Sequence, residues 1–307
     1  MTDVPKKIFI DGEAGTTGLQ IREKLAQRAD VEIVSIDPDK RKDSAAKAEI
    51  LRQVDLTILC LPDAAARESV ALTDSLGAQG PRVLDASTAH RVAPGWTYGF
   101  PELSPGQAQE IAAARRVANP GCYATGAIAI LHPLVEAGLI DPGHYLAINA
   151  VSGYSGGGRP MIEAYEAGRA PAFELYALGL EHKHVPEIMA YGGVRMRPLF
   201  VPSVGNFRQG MLVSLPLSLD DLPTKPHAGD LEAVLADHYA GRTHVRVVAA
   251  EEDGKLEPEA LNGTNDLEIR VFANETRRHV VVVARLDNLG KGASGAAVQN
   301  MDLMLGL

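Results

Sequence analysis

Two cysteines occur in the 307 residues, and only one stands where a thiol does chemistry. Cys122 lies in Asn119-Pro120-Gly121-Cys122-Tyr123-Ala124-Thr125-Gly126, a turn just ahead of a helical pattern from Ala127 to Val135. A thiol at a helix start faces the positive end of the helix dipole, which lowers its pKa and raises its thiolate fraction. Cys60, inside the apolar run Leu56 to Leu61, reads instead as a small buried hydrophobe. A nucleophilic thiolate needs a proton carrier within reach, and histidine suits neutral pH best. Of the nine histidines, His182 and His184 stand in the densest polar group of the second half, Glu181-His-Lys-His-Val-Pro-Glu187, where Glu187 can orient an imidazole. A His-x-His pair can also be a fragment of a metal site, but no third His or Cys is nearby, so no metal is expected. His227, His238 and His244 lack chemical neighbours and read as ordinary surface residues.

Anion-binding loops form the second group. Gly12, Gly15 and Gly18 make a G-x-x-G-x-x-G array between an apolar run and a helical pattern, a spacing that departs from G-x-G-x-x-G. Glycine there lets backbone approach a pyrophosphate, whose charge meets the free N–H groups of the helix start, with the Thr16 and Thr17 hydroxyls beside them. After the second apolar run the signs are mixed: Asp37 would hold ribose hydroxyls, whereas Ser35, Lys40 and Arg41 suit a 2′-phosphate, so the reading leans to NADP(H). A solvated charge cluster is the plainer alternative. Ser152-Gly-Tyr-Ser-Gly-Gly-Gly-Arg159 offers N–H groups, the Ser155 hydroxyl, the Gly156 turn and the Arg159 guanidinium, the makings of a phosphate nest, against the alternative of a flexible linker. Arg208 is a second candidate for a substrate carboxylate, or a plain loop arginine.

Positioning these groups calls for two kinds of fold. Apolar runs at Lys7–Asp11, Val31–Ile36, Leu56–Leu61 and Arg82–Asp85 alternate with helical patterns at Leu19–Ala26 and Ala64–Leu76, which is the order of a Rossmann-like, doubly wound α/β domain. From Gly143 the texture changes. A helical stretch from Pro160 to Glu166 and period-two runs at Gly210–Leu215, Val245–Ala249, Leu267–Phe272 and Val280–Leu286 predict an α+β catalytic domain on a largely antiparallel sheet. The tail, Lys291 to Leu307, has helical spacing and is expected to pack back on the first domain. The division is thus 1–118 plus 288–307 for the dinucleotide and 119–287 for catalysis, with the second sheet joining a homodimer or homotetramer.

The net charge of −9 argues against a partner with a phosphate backbone, so no nucleic acid is expected. Two cysteines are too few for a disulfide framework, and the run after Lys6-Lys7 ends at Asp11 before a signal-peptide core can form. No apolar stretch approaches the roughly 18 residues of a membrane span. A cytoplasmic protein without membrane partners is the expectation.

The pieces Phe9-Ile-Asp-Gly-Glu-Ala-Gly-Thr-Thr-Gly18, Asn119 to Gly126, Val151-Ser-Gly-Tyr-Ser-Gly-Gly-Gly-Arg159, Glu181 to Glu187 and Asn288-Leu-Gly-Lys-Gly-Ala-Ser-Gly-Ala-Ala297 span nearly the whole chain in order. Together they resemble the short form of the N-acetyl-γ-glutamyl-phosphate reductase family, in the wider group that includes aspartate-semialdehyde dehydrogenase. The resemblance implies that Cys122 is the nucleophile and that the first histidine of the His182/His184 pair is the acid-base, with Glu187 in support. It implies that the glycine array and the segment carrying Asn288, Lys291 and Gly292 hold NADP(H), the latter near the nicotinamide. Ser155, Gly156, Arg159 and Arg208 would receive the anions of a small acyl phosphate. The implied reaction is NADPH-dependent reduction of N-acetyl-γ-glutamyl phosphate to N-acetylglutamate 5-semialdehyde and phosphate through a cysteine thioester, a step of arginine biosynthesis. Alternatives are an aspartate-semialdehyde dehydrogenase-type reductase of another acyl phosphate, or a non-catalytic dinucleotide-binding regulator with Cys122 a structural or redox-sensing thiol.

Overall fold

The computed structural model describes residues 4–307, so the start of the first domain at residues 1–3 lies outside the described residues. The chain divides into two compact units, one running through Pro101 with Gly106–Pro120 and Ala293–Leu307, the other made of Glu102–Pro105 and Gly121–Gly292.

In the first unit, β1 (Lys6–Asp11), α1 (Thr16–Leu25), β2 (Val31–Val34), α2 (Ser44–Leu51), β3 (Leu56–Leu59), α3 (Asp63–Ser75), β4 (Arg82–Asp85), β5 (Thr97–Tyr98), α4 (Gln107–Ala113) and β6 (Arg116–Ala118) follow in order. The sheet order is β2-β1-β3-β4-β6-β5 and every pairing is parallel. Parallel strands are covered on both faces, which is why β3 is buried at all its positions and reads as an unbroken apolar run. The chain passes from β1 to β2 on one side and then to β3 on the other. The crevice beyond the ends of β1 and β3 is therefore a topological switch point, where open α/β sheets bind ligands.

The second unit holds α5 (Cys122–Glu136), β7 (Ala147–Gly153), α6 (Gly158–Glu166), β8 (Phe173–Leu175), α7 (Val185–Gly192), β9 (Leu199–Gly205), β10 (Met211–Ser218), α8 (Ala228–His238), β11 (Val245–Val247), β12 (Leu267–Asn274) and β13 (His279–Leu286). Its sheet, in the order β11-β12-β13-β10-β7-β9-β8, is mixed: β7 runs parallel to β9 and β11 to β12, while the other pairs are antiparallel. The sequence expectation of a largely antiparallel sheet holds for its centre. It lacked β7, β8 and β9, because β9 carries Pro202 in mid-strand and β7 runs into the glycines. Helix α5 is apolar on nearly every face, and Gly126 lets it lie close on β10: a Cβ there would stand 2.8 Å from Val213 Cγ2. That contact seats the start of α5, and with it Cys122.

The last helix, α9 (Gly295–Leu305), belongs to the first unit, where Ala297, Met301 and Met304 share the core with Ile8, Ile10, Leu56 and Ile58. The Asn300 amide donates to the Gly99 carbonyl at 2.8 Å and to Asn119 Oδ1 at 3.0 Å. The units divide after Gly292 rather than before Asn288, because Asn288 is bonded to Gly210 and Ser155, and Lys291 to Glu102.

Candidate functional site

Cys122 is the first residue of α5, preceded by Gly121 as N-cap and half-buried. The N–H groups of a first helical turn have no acceptor within the helix, and those of Tyr123 and Ala124 follow directly on Cys122. Gly121 N–H donates to Glu187 Oε2 at 3.1 Å, and Thr125 Oγ1 donates back to the Gly121 carbonyl at 3.0 Å. Glu187, 1 % exposed, thus holds the turn that carries the thiol. Sequence reasoning gave it an imidazole to orient; its position at the foot of α5 makes it a positioning residue for Cys122 as well.

The Tyr123 ring, next in the chain to Cys122, meets both imidazoles, with centroids 5.8 Å from His182 and 5.9 Å from His184. The two rings stand edge to face at 4.7 Å. His184 is buried at the N-cap of α7, whereas His182 is partly exposed. The His184 N–H donates to His182 Nδ1 at 3.1 Å, which assigns the proton of a neutral His182 ring to Nε2. Tyr176 packs against His182 at 5.8 Å, and the Tyr123 phenol donates to the Ser203 carbonyl at 3.0 Å. Burial raises both phenol pKa values, and the charge of Cys122 adds to the shift. Both phenols therefore stay protonated at neutral pH. Neither tyrosine was found from sequence, although Tyr123 follows the cysteine directly. For Cys60, burial, with Asp85 and Asp11 adding to it, pushes the pKa up to about 12, so it is no nucleophile at neutral pH.

The segment after β13 closes on Cys122 from another side. A Cβ on Gly292 would lie 2.7 Å from Cys122 Cβ and 3.2 Å from the Asp287 carbonyl oxygen, so only glycine brings this backbone so near the thiol. Two neighbours assigned from sequence to the dinucleotide are tied into the second unit. Lys291 is 1 % exposed and its ammonium meets Glu102 at 2.7 Å; burial lowers its pKa, and Glu102 opposes that shift. The amine is thus held in a buried ion pair with Glu102. Lys291→Met is therefore expected to cost on the order of 3 kcal/mol of stability by stripping Glu102 of this charge, measured by denaturant unfolding. Asn288 accepts from the Gly210 N–H at 2.8 Å and donates to Ser155 Oγ at 3.0 Å. It ties the glycine-rich turn to the strand ends.

That turn is not a linker: Tyr154–Gly157 is a 3-10 turn leading into α6. Ser155 is buried against Asn288, and Gly156 lies over Ser152, whose hydroxyl donates to the Gly153 carbonyl at 3.0 Å. Arg159 is 83 % exposed and pairs with Glu163 one turn on at 2.9 Å, while Arg208 pairs with Glu166. Both guanidiniums are held by carboxylates at the surface, so the structure does not bring them together with Cys122. Among the described residues no group of three or more His, Cys, Asp or Glu is arranged to hold a metal, and no helix is long and apolar enough to cross a membrane.

In the first unit the glycine array fits a dinucleotide. Gly12 has φ +93°, and a Cβ there would stand 2.4 Å from the Cys60 carbonyl oxygen; on Gly18 it would stand 2.5 Å from that of Gly12. The cradle is one that side chains would fill. Gly15 caps α1, leaving the N–H groups of Thr16, Thr17 and Gly18 at the helix start for a pyrophosphate. Beside it a cleft of about 510 Å³ is lined by Gly12, Glu13, Arg41, Lys42 and Lys47 among others. Ser35 follows β2 and bonds Arg22 at 2.9 Å; Lys40 is exposed in a short 3-10 turn. Arg22, on the second turn of α1, was missed in sequence, where only the polar cluster after β2 was read.

Two family models match the chain: the semialdehyde dehydrogenase NAD binding domain over residues 7–111 and the semialdehyde dehydrogenase dimerisation domain over 122–288. The chain is 54 % identical over 308 residues to N-acetyl-gamma-glutamyl-phosphate reductase of Mesorhizobium japonicum, covering 98 % of this chain and 99 % of that one. It is 52 % identical to N-acetyl-gamma-glutamyl-phosphate reductase 2 of Pseudomonas putida, covering 97 % and 96 %. In fold it is similar to aspartate semialdehyde dehydrogenase II of Vibrio cholerae complexed with ASA, with a TM-score of 0.73, 15 % identity and 99 % of both chains covered. The enzyme of Candida albicans solved with NADP is also similar, at a TM-score of 0.67, 15 % identity and 98 % and 99 % coverage. With its thiol at a helix start, its paired imidazoles and its glycine cradle, the chain belongs to the N-acetyl-γ-glutamyl-phosphate reductase family of semialdehyde dehydrogenase-like oxidoreductases.

Proposed function

We propose that this protein reduces N-acetyl-γ-glutamyl phosphate with NADPH, giving N-acetylglutamate 5-semialdehyde and phosphate, a step of arginine biosynthesis. The observation that carries the reading is Cys122 at the first position of α5, with His182 and His184 both against the adjacent Tyr123 ring. The Cys122 thiolate attacks the acyl carbonyl. The N–H groups of Tyr123 and Ala124 hold the oxyanion, and phosphate leaves to give a thioester. NADPH, when bound, supplies the hydride that takes the thioester to the aldehyde level. His182, with its proton on Nε2, lends that proton to the carbonyl oxygen as charge gathers there, and takes it back as the thiohemiacetal collapses, when the C–S bond breaks and its electron pair leaves with Cys122 as thiolate. Glu187 and Gly292 keep Cys122 in place for both steps. The glycine cradle, Thr16 and Thr17 would hold the pyrophosphate, and Ser35 and Arg41 the 2′-phosphate.

An oligomer follows from the second sheet. Its face away from α5 leaves Phe173, Leu175 and Val281 exposed around a groove of about 850 Å³. A second copy covering this face would give a homodimer, the smallest assembly that hides it.

The test is the initial rate of phosphate-dependent oxidation of N-acetylglutamate semialdehyde with NADP and with NAD, beside aspartate semialdehyde. Activity with the N-acetylglutamyl substrate and NADP is expected; activity with the aspartyl substrate alone would end the reading. For the proton donor, His182→Asn is expected to lower kcat by roughly 10²–10⁴-fold and change the pH–rate profile. His184→Asn, at a buried N-cap, should act mainly on stability. Unaltered kcat and profile in both variants would refute the assignment.

A further inference from the structure

Glu13 stands between Gly12 and Ala14 in the loop that the cofactor backbone would cross, a place where a small residue would suffice. Its carboxylate is instead the centre of a cationic cluster. Oε2 accepts from Arg22 Nη1 at 2.7 Å and from Ser35 Oγ at 3.1 Å, and Oε1 faces Arg41 Nη2 at 3.7 Å. Arg22 Nη1 also donates to Ser35 Oγ at 2.9 Å, so two guanidiniums and a hydroxyl converge on one anion. Glu13 is 17 % exposed while both arginines remain near 45 %. The anion is more enclosed than the cations that enclose it. Ser35 is the first residue after β2, where a Rossmann-like fold reads the ribose 2′ position, and Glu13 and Arg41 both line the adjoining cleft.

We propose that the Glu13 carboxylate occupies, in the free chain, the seat of the 2′-phosphate of NADP(H), and that it sets how strongly the chain prefers NADP over NAD. The inference rests on the dinucleotide reading given above. A phosphate dianion carries more charge and more acceptor oxygens than a carboxylate, so the same donors suit it better. It cannot share them with Glu13, because two anions at one site repel. Binding NADP(H) therefore requires Glu13 to leave Arg22 and Ser35. A 2′-hydroxyl makes no such demand, since it can donate to the carboxylate where it lies. Arg22 and Arg41 thus favour the phosphate, and Glu13 restrains that preference.

The test is the dissociation constants of NADPH and NADH, read by nucleotide fluorescence or calorimetry without substrate, for the wild type, Glu13→Gln and Glu13→Ala. Thermal unfolding checks that each variant is folded. Both variants are expected to bind NADPH about tenfold more tightly with NADH unchanged or weaker, and the gain should shrink at high salt. An unchanged NADPH-to-NADH ratio, or weaker NADPH binding in both variants, overturns the role of Glu13 alone. A wild type that binds neither nucleotide overturns the dinucleotide reading, and this inference with it.

Discussion

Cys122→Ser is expected to abolish reduction, with kcat down at least ~10³-fold as when a covalent nucleophile is removed, while NADPH binding and unfolding temperature stay near wild type. The asymmetry follows from the fold. Cys122 lies in the second unit, the glycine cradle in the first, and serine is close to isosteric at the start of α5. A hydroxyl lacks the acidity that lets the helix start ionise a thiol at neutral pH. Steady-state rates with parallel NADPH titration check the prediction. Undiminished turnover would remove the nucleophile role and favour a silent dinucleotide-binding protein. Cys60→Ser provides the contrast, because that half-buried thiol has its pKa pushed up to about 12 and stays protonated.

Gly292→Ala is the second large effect. The added methyl would stand 2.7 Å from Cys122 Cβ and 3.2 Å from its Cα, both fixed by the helix they begin, so the thiol or the segment after β13 must shift. A misplacement near 1 Å at a reacting atom costs about 10²-fold in rate, and that loss is expected in kcat. Gly229→Ala in α8 is the matched control: its Cβ meets nothing within 4 Å, and helix propensity makes the change neutral or slightly stabilising. Equal kcat for the two variants would show that the approach of Gly292 to Cys122 has no bearing on the reaction.

These residues also show how far the sequence carries. The parallel sheet was legible because buried strands and amphipathic helices alternate with different periods, and β4 falls on the apolar run Arg82–Asp85 residue for residue. Cys122 was legible because Pro-Gly ahead of a helical pattern announces a helix start, a local signal. Local reasoning had no access to what Glu187 holds, since Gly121 lies 66 positions away. Lys291, between glycines, has the look of a phosphate ligand until Glu102, 189 positions earlier, is found against it. Arg159 and Arg208 were read for their charge, yet each is held by a glutamate at the surface. Strand β9 was hidden by Pro202, which pairs opposite Ala150 in a sheet whose register only the fold reveals. Composition and period thus give elements and the helix start at Cys122; partners distant in the chain decide what charged residues do.

Intact-protein and peptide mass spectrometry after mixing the enzyme with N-acetyl-γ-glutamyl phosphate, with no nicotinamide nucleotide present, tests the central claim most directly. The expected product is one N-acetylglutamyl group per chain, on the peptide that contains Cys122, released as aldehyde when NADPH is added and absent in Cys122→Ser. An unmodified chain that nevertheless turns over with NADPH, or an acyl group on any other residue, would contradict the account.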